Sequence, residues 1–229
     1  MAFRKKAENI LKYDPDIMVI LESESKEKID FIKHSKFPHQ IIWDGGNANK
    51  GLLIASYNKD YDIKINDLYN KNFKYVLPID IITKEHKFLL LAVWAKNTSN
   101  PFTSYVVQVS RAVNFYKNLL NEKTIIIGDF NSNKIWDNVN KKEANHSDLV
   151  RSLEALNIQS LYHNITKLDQ GKETEPTFYL HKKRDKPYHI DYLFVGNFWL
   201  EKLTKLEIGN FDDWIKHSDH MPIMGQFEV

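Results

Sequence analysis

The sequence of 229 residues contains no cysteine. This absence excludes disulfide bonds, thiolate-ligated zinc and a cysteine nucleophile. The longest apolar run, residues 88–95, is far shorter than the roughly 18 residues of a membrane-spanning helix, and the first residues lack the apolar stretch of a secretion signal. Glycine and proline number only 8 and 7 and are scattered, so no linker is indicated. We therefore expect one soluble, cytoplasmic domain that does not enter a membrane.

No strong excess of either charge sign is present, because 32 basic residues face 30 acidic ones. Any attraction to phosphate must therefore come from a local patch. The densest basic cluster is Lys182, Lys183 and Arg184 with Lys186, which is either a solvated turn or a contact to substrate phosphate. The apolar share of 42% and aromatic share of 13% are enough to form a core, which excludes a disordered chain.

Hydrophobic periodicity predicts strands that alternate with helices. The continuous apolar run at residues 17–21 predicts a strand buried on both faces. Further strands are predicted at residues 40–43, 51–57, 75–82, 87–94, 124–127, 177–179, 189–195, 202–208 and 223–229. Helices are predicted at residues 3–11, 26–33, 104–120 and 147–156, with Ser104 as the N-cap of the third. This arrangement favours an α/β domain in which helices cover stacked sheets.

Acidic or amide side chains follow or interrupt these strand-like runs at four places: Glu22, Asp129 with Asn131, Asp191, and Asp219 beside His220. A charge in or at the end of a buried strand is costly unless it is paired or binds a metal. Four such places therefore predict a convergent site. Oxygen ligands suit magnesium, manganese or calcium better than zinc, and one histidine can meet charge that develops on oxygen. This combination is typical of phosphate-ester hydrolysis.

These motifs resemble, in order, those of the endonuclease/exonuclease/phosphatase superfamily, also called DNase I-like. The matching segments are Glu22 at a strand end, Gly128-Asp129-Phe130-Asn131, His189-Ile190-Asp191-Tyr192 and Ser218-Asp219-His220-Met221-Pro222. The resemblance runs from about residue 3 to the C-terminus. It implies an α/β (α+β) fold, a four-layer sandwich of two packed mixed β-sheets flanked by helices.

The resemblance also implies roles for the matched residues. Glu22 and Asp219 would bind Mg²⁺, with Mn²⁺ as an alternative. Asp129 would orient and deprotonate the attacking water, and Asn131 would hold the scissile phosphate. His220 would stabilise or protonate the phosphorane oxygens, and Asp191 would fix the tautomer of His220. Asn97 is a further predicted substrate contact, in a segment where DNA-repair members have a tyrosine followed by Pro-Asn and this sequence has Trp94-Ala95-Lys96-Asn97.

The function that follows is a magnesium-dependent phosphodiester hydrolase acting on nucleic acid by in-line attack of water on phosphorus. Two alternatives within the same chemistry stay open, a phosphomonoesterase and a phospholipid-headgroup hydrolase, because loops outside the site select the substrate. An alternative of another class is a catalytically silent binding module with the same fold. The sequence does not define the oligomeric state.

Members of this superfamily open with a buried strand that ends in a Trp-Asn-X-Asn-like motif, whose asparagine helps to hold the metal. This sequence instead begins with the helix predicted at residues 3–11. We therefore expect residues 1–229 to form a single domain that is N-terminally truncated relative to the family and lacks its first strand. A version extended upstream should be more stable and more active, because it would restore ladder hydrogen bonds and one metal ligand.

Overall fold

The computed structural model describes residues 3–98, 105–138, 140 and 145–228. Its strands are β1 (Ile17–Ser23), β2 (Gln40–Asn47), β3 (Lys50–Ser56), β4 (Asp62–Ile65), β5 (Val76–Ile82), β6 (Lys87–Trp94), β7 (Ile125–Asp129), β8 (Ile158–Ser160), β9 (Phe178–Tyr179), β10 (Pro187–Tyr188), β11 (Asp191–Gly196), β12 (Leu203–Ile208) and β13 (Ile223–Phe227). Its α-helices are α1 (Ala7–Leu11), α2 (Tyr105–Tyr116), α3 (His146–Glu154), α4 (Leu161–Thr166), α5 (Asn197–Glu201) and α6 (Phe211–Trp214).

The central element is a mixed six-stranded sheet with the strand order β4-β5-β6-β7-β11-β8. Its neighbours pair antiparallel except for β6 and β7, which run parallel. The antiparallel sheet β1-β3-β2 and the pair β12-β13 pack on one face of it. Leu52 and Ile54 of β3 meet Leu77, Ile79 and other side chains of the central sheet there. This apolar interface forms the middle of the molecule.

Helices cover the two outer faces. The helices α2 and α3 pack on the second face of the central sheet, where Val109 and Leu149 contact apolar side chains such as Leu91 and Phe194. On the other side, Phe3 and the helix α1 cover the outer face of the β1-β3-β2 sheet. The resulting order is helix, sheet, sheet, helix, so the predicted four-layer sandwich is confirmed.

One predicted helix differs from the structure, and one predicted cap is not tested by it. The helix predicted at residues 26–33 is wrong, because the chain forms two short 3₁₀ turns there, Lys26–Lys28 and Phe31–Lys33. Ile29 lies between them in extended conformation, and both Ile29 and Phe31 are buried. A spacing of two residues brings side chains to one face only in an extended segment. Ser104, the predicted N-cap, lies outside the described residues.

The structure also bears on membrane insertion. Within the described residues, no helix has both the length and the apolar character needed to cross a bilayer.

Candidate active site

The register of two strands brings the first two acidic residues together. In the antiparallel pair β7–β11, Asp129 lies directly opposite Asp191. On its other side, β7 runs parallel to β6, and a Cβ on Gly128 would lie 1.8 Å from the Val93 carbonyl oxygen. Gly128 also has φ of +145°, a region that L side chains rarely adopt. Glycine at this position therefore lets the strands approach closely just before Asp129.

Asn131 is held against Asp129. It follows β7 with a left-handed φ of +46°. Its backbone N–H donates to Asp129 Oδ1 at 2.8 Å, and its Nδ2 donates to Asp129 Oδ2 at 2.6 Å and to the Ala95 carbonyl at 2.8 Å. In this arrangement the Asn131 amide orients the Asp129 carboxylate. Its predicted contact with the scissile phosphate stays a prediction.

Asp191 and His220 form a hydrogen-bonded pair. The Nδ1 of His220 lies 2.9 Å from Asp191 Oδ2 and 3.1 Å from Oδ1, so the carboxylate accepts from this nitrogen and favours the tautomer protonated at Nδ1. The backbone N–H of Asp191 donates to Thr177 Oγ1 at 2.9 Å, and the backbone N–H of His220 donates to Ser218 Oγ at 3.1 Å. Both partners of the pair are thus fixed from behind, which leaves His220 Nε2 outside the bond to Asp191.

Burial and neighbouring charges shift the pKa values of Asp129 and His220. Burial raises the pKa of Asp129, and the charge of Asp191 raises it further, so that it lies well above its ordinary value. Burial alone would lower the pKa of His220. The Asp191 carboxylate and the charges of Asp129 and Asp219 outweigh that effect and raise the pKa of His220 to about 9.

Glu22 occupies a β-bulge in its strand. The register between β1 and β3 shifts between Leu21 and Ser23, and Glu22 has a left-handed φ of +57°. Its carboxylate pairs with Lys50 Nζ at 2.8 Å. The strand end that the sequence predicted therefore contains an irregularity that the sequence did not reveal.

One cavity of about 650 Å³ brings five predicted site residues together: Glu22, Asp129, Asp191, Asp219 and His220. It lies between β1 and β13. Asp129, Asp191 and His220 each offer a possible ligand atom within 4.8 Å of the others. Glu22 and Asp219 line the same cavity outside this close group. The exposed Asn97, a predicted substrate contact, is not among the described residues that line it.

The sequence analysis missed Lys6, which also lines this cavity. Burial lowers the pKa of Lys6, and the charges of Glu22, Asp219 and Asp191 raise it without restoring its ordinary value. Its ammonium group therefore faces the acidic residues of the site. The available signal was its position beside Phe3 and Ile10 on the apolar stripe of the first helical segment, where a lysine is unexpected.

The donor set fits a hard divalent cation. Three acidic residues of the cavity, Glu22, Asp191 and Asp219, act electrostatically on Lys6. Asp129 and Asp191 face each other across the two strands, and the charge of Asp191 raises the pKa of Asp129. Carboxylate oxygens with a single imidazole are the donors expected around Mg²⁺ or Mn²⁺ rather than around zinc. A bound divalent cation would relieve the repulsion between these carboxylates.

Comparison with solved structures identifies the fold. No family model matches the sequence, and no curated protein does. An endonuclease/exonuclease/phosphatase family protein from Leptotrichia buccalis aligns with a TM-score of 0.60 at 14% identity, over 99% of this chain and 92% of that chain. This chain has the endonuclease/exonuclease/phosphatase fold.

Two nucleases give higher scores on the same fold. An AP endonuclease from Archaeoglobus fulgidus aligns with a TM-score of 0.70 at 16% identity, over 100% of this chain and 96% of that chain. The 3′-5′ exonuclease NExo from Neisseria meningitidis aligns with a TM-score of 0.69 at 14% identity, over 100% and 96%. The resemblance drawn from the four motifs is therefore confirmed for the fold.

Proposed function

We propose that this chain hydrolyses phosphoric esters and that its substrate is a phosphodiester of nucleic acid. The observation that carries the proposal is the hydrogen-bonded His220–Asp191 pair with Asp129 beside it, all within 4.8 Å by their possible ligand atoms. Glu22 and Asp219 line the same cavity. A base, an oriented histidine and a set of oxygen donors are the groups that attack of water on phosphorus requires.

Each residue has a distinct part in the reaction. Asp129, oriented by two hydrogen bonds from Asn131, accepts a proton from the attacking water. His220 uses Nε2 to stabilise or protonate the oxygens around phosphorus, because Nδ1 is held by Asp191. Asp191 keeps the imidazole in that tautomer and orientation. We assign to Asn131 a contact with the scissile phosphate, for which its amide must release one of its present partners.

Glu22 and Asp219 would hold the divalent cation, Mg²⁺ or alternatively Mn²⁺. When bound, such an ion supplies positive charge for the phosphate oxygens. The ion pair of Glu22 with Lys50 is half exposed, so Glu22 can exchange this partner at little cost.

Nucleic acid is the substrate class that the structural neighbours support. They include an AP endonuclease, a 3′-5′ exonuclease and a 3′ phosphatase of Neisseria bound to a product DNA hairpin. The 3′ phosphatase also supports a second candidate, removal of a terminal phosphate by the same residues. In this fold the site binds the phosphate, and the surrounding loops select what is attached to it.

The test uses Asp129→Asn, which keeps the size of the side chain and removes the base. The matched control is Asp67→Asn, because the Asp67 side chain is 89% exposed. Both variants and the parent protein are assayed with single-stranded, duplex, abasic and 3′-phosphorylated oligonucleotides, with Mg²⁺ and with a chelator. We expect Asp129→Asn to reduce the rate roughly 10²- to 10⁴-fold and Asp67→Asn to have no effect.

The outcomes separate the candidates. Cleavage at internal or terminal phosphodiesters supports the proposed function, and release of phosphate from the 3′-phosphorylated strand alone supports the second candidate. Cleavage by Asp129→Asn at the parental rate would place the activity elsewhere. Binding of oligonucleotides without hydrolysis of any of them would make the chain a silent binding module.

A further inference from the structure

Two aromatic rings contact each other at a tilted angle at the surface near the candidate site. Trp136 is 51% exposed, and its ring centroid lies 5.2 Å from that of Tyr188. The preceding residue, Ile135, is 56% exposed. Adjacent large apolar side chains that are exposed to solvent are typical of a surface that binds another molecule.

The position of Trp136 is fixed from the interior. The 3₁₀ turn Lys134–Trp136 begins at the buried Asn133, whose Oδ1 accepts the backbone N–H of Ile135 at 3.0 Å. The Nδ2 of Asn133 donates to the His189 carbonyl at 2.9 Å and to the Tyr192 hydroxyl at 3.1 Å. The turn is thus attached to the residues that precede and follow Asp191, so the exposed ring is presented by a rigid support.

A third ring connects this pair to the candidate active site. Phe178 lies opposite Tyr188 in the β9–β10 pair, with ring centroids 6.4 Å apart. On its other side, Phe178 forms an isolated bridge with His220, and the two rings are 4.6 Å apart. We call Trp136, Tyr188 and Phe178 the aromatic ledge. It leads from solvent to the histidine of the site.

Three lysines lie within five residues of the ledge along the chain. Lys134 precedes the two exposed residues of the turn, and Lys183 and Lys186 lie on the exposed loop between β9 and β10. These three lysines make no ion pair with any residue that the structure describes. Arg184, in the same loop, pairs with Asp212. The lysines are therefore available to the phosphates of a strand whose bases meet the rings.

We propose that the aromatic ledge binds the unpaired bases next to the scissile phosphate of a single-stranded nucleic acid. This inference rests on the proposed function and adds the form of the substrate. Aromatic rings in series beside lysines are the elements of a single-strand binding surface, because every base has a face that stacks. A lipid surface also accepts exposed tryptophan and lysine. The inward path of the ledge to His220 favours a strand that continues into the site.

The test measures binding to two fluorescent 12-nucleotide strands by anisotropy. One is oligothymidine, and the other has the same sugar–phosphate backbone without bases. A chelator prevents hydrolysis during the measurement. The proteins are the parent, Trp136→Ala, Trp136→Phe and the control Phe37→Ala, because Phe37 is 64% exposed and contacts Phe31 rather than the ledge.

We expect Trp136→Ala to weaken binding of oligothymidine about tenfold, the size of one lost base–aromatic stack. Binding of the strand without bases should not change. Trp136→Phe should keep most of the affinity, and Phe37→Ala all of it. An equal loss of affinity for both strands, or no loss for either, would overturn the proposal. It would also be overturned if the parent protein bound anionic lipid vesicles more tightly than oligothymidine and if this binding depended on Trp136.

A separate cleavage assay distinguishes this inference from the proposed function. If the parent protein cleaves none of the four kinds of oligonucleotide named under the proposed function with Mg²⁺, the proposed function fails, whatever the binding shows. If it cleaves duplex but not oligothymidine, the function stands and the ledge proposal fails. If it cleaves both fluorescent strands and the ratio of kcat/KM between them is unchanged in Trp136→Ala, the proposed function is supported and the proposed role of the aromatic ledge is overturned.

Discussion

A buried hydrogen bond between Glu173 and His163, in the segment between β8 and β9, gives the clearest stability prediction. The Glu173 side chain is only 5% exposed, and its Oε1 lies 3.1 Å from His163 Nε2. It also accepts the backbone N–H of Gly171 at 2.9 Å. Burial opposes the charge of Glu173, but hydrogen bonds from His163, Gly171 and Asn133 outweigh it and lower the pKa of Glu173 from 4.5 to about 2. The carboxylate is therefore more stable in the folded chain than in the unfolded one.

This pKa change corresponds to about 3 kcal/mol at 1.36 kcal/mol per pH unit. Because the pKa is lower in the folded state, the stabilisation is complete above pH 4.5 and is lost as the pH falls towards 2. Less than half of it should remain at pH 3. Glu173→Gln keeps the shape and one acceptor but removes the charge. We expect it to lower the free energy of unfolding at pH 7 by about 2–3 kcal/mol.

The assay is urea unfolding followed by tryptophan fluorescence at pH 7, 4 and 3. The control is Glu154→Gln, at the exposed end of α3. The difference between the parent and Glu173→Gln should shrink as the pH falls, whereas the control should differ little at any pH. A difference that stays constant with pH would show that Glu173 acts through its shape alone. No difference at pH 7 would refute the reasoning entirely.

Two further predictions concern the strand ends of the site. Asp191→Asn removes the charge that holds His220 and replaces one acceptor oxygen by an NH₂ donor, so the tautomer of His220 is no longer fixed. We expect kcat on a cleaved oligonucleotide to fall roughly 10³- to 10⁴-fold in a folded protein, and a fall of less than tenfold would contradict the assigned role. Gly128→Ala places a Cβ 1.8 Å from the Val93 carbonyl at φ of +145°, so it should destabilise the fold by about 3 kcal/mol or more. Calorimetry should then show a Tm lower by roughly 6–12 °C, and an unchanged Tm would refute the strain argument.

The strands that the sequence predicts best are those buried on both faces. Residues 88–94 belong to a continuous apolar run and form almost all of β6, whose side chains pack into the cores on either side of the central sheet. The edge strand β4 was not predicted, because Ile63 is its only buried residue. Such a strand is defined by its partner β5, with which it pairs in register, and not by its own pattern.

The site follows the same division between local chemistry and long-range contacts. Asp191 was predicted because a carboxylate inside an apolar strand needs a partner, and the structure gives it His220. The bulge at Glu22 depends on how β1 pairs with β3. The position of Lys6 in the cavity depends on where the first helical segment packs. The local sequence does not reveal the bulge, and at Lys6 it shows only an unexpected lysine on an apolar stripe, not the place where that lysine packs. Sequence periodicity therefore located the carboxylates of the site but not the Lys6 ammonium group that faces them.

The register of β7 and β11 explains why these charges lie together despite their cost. Asp129 and Asp191 are direct cross-strand partners, and like charges in that position destabilise a sheet. A slip of one residue would send Asp191 to the opposite face, but it would also send the apolar residues of β11 away from the cores they fill. The core thus fixes the register, and the register imposes the repulsion. His220 and Lys6 supply nearby positive charge that partly offsets the repulsion between the carboxylates. A bound divalent cation would offset this repulsion further.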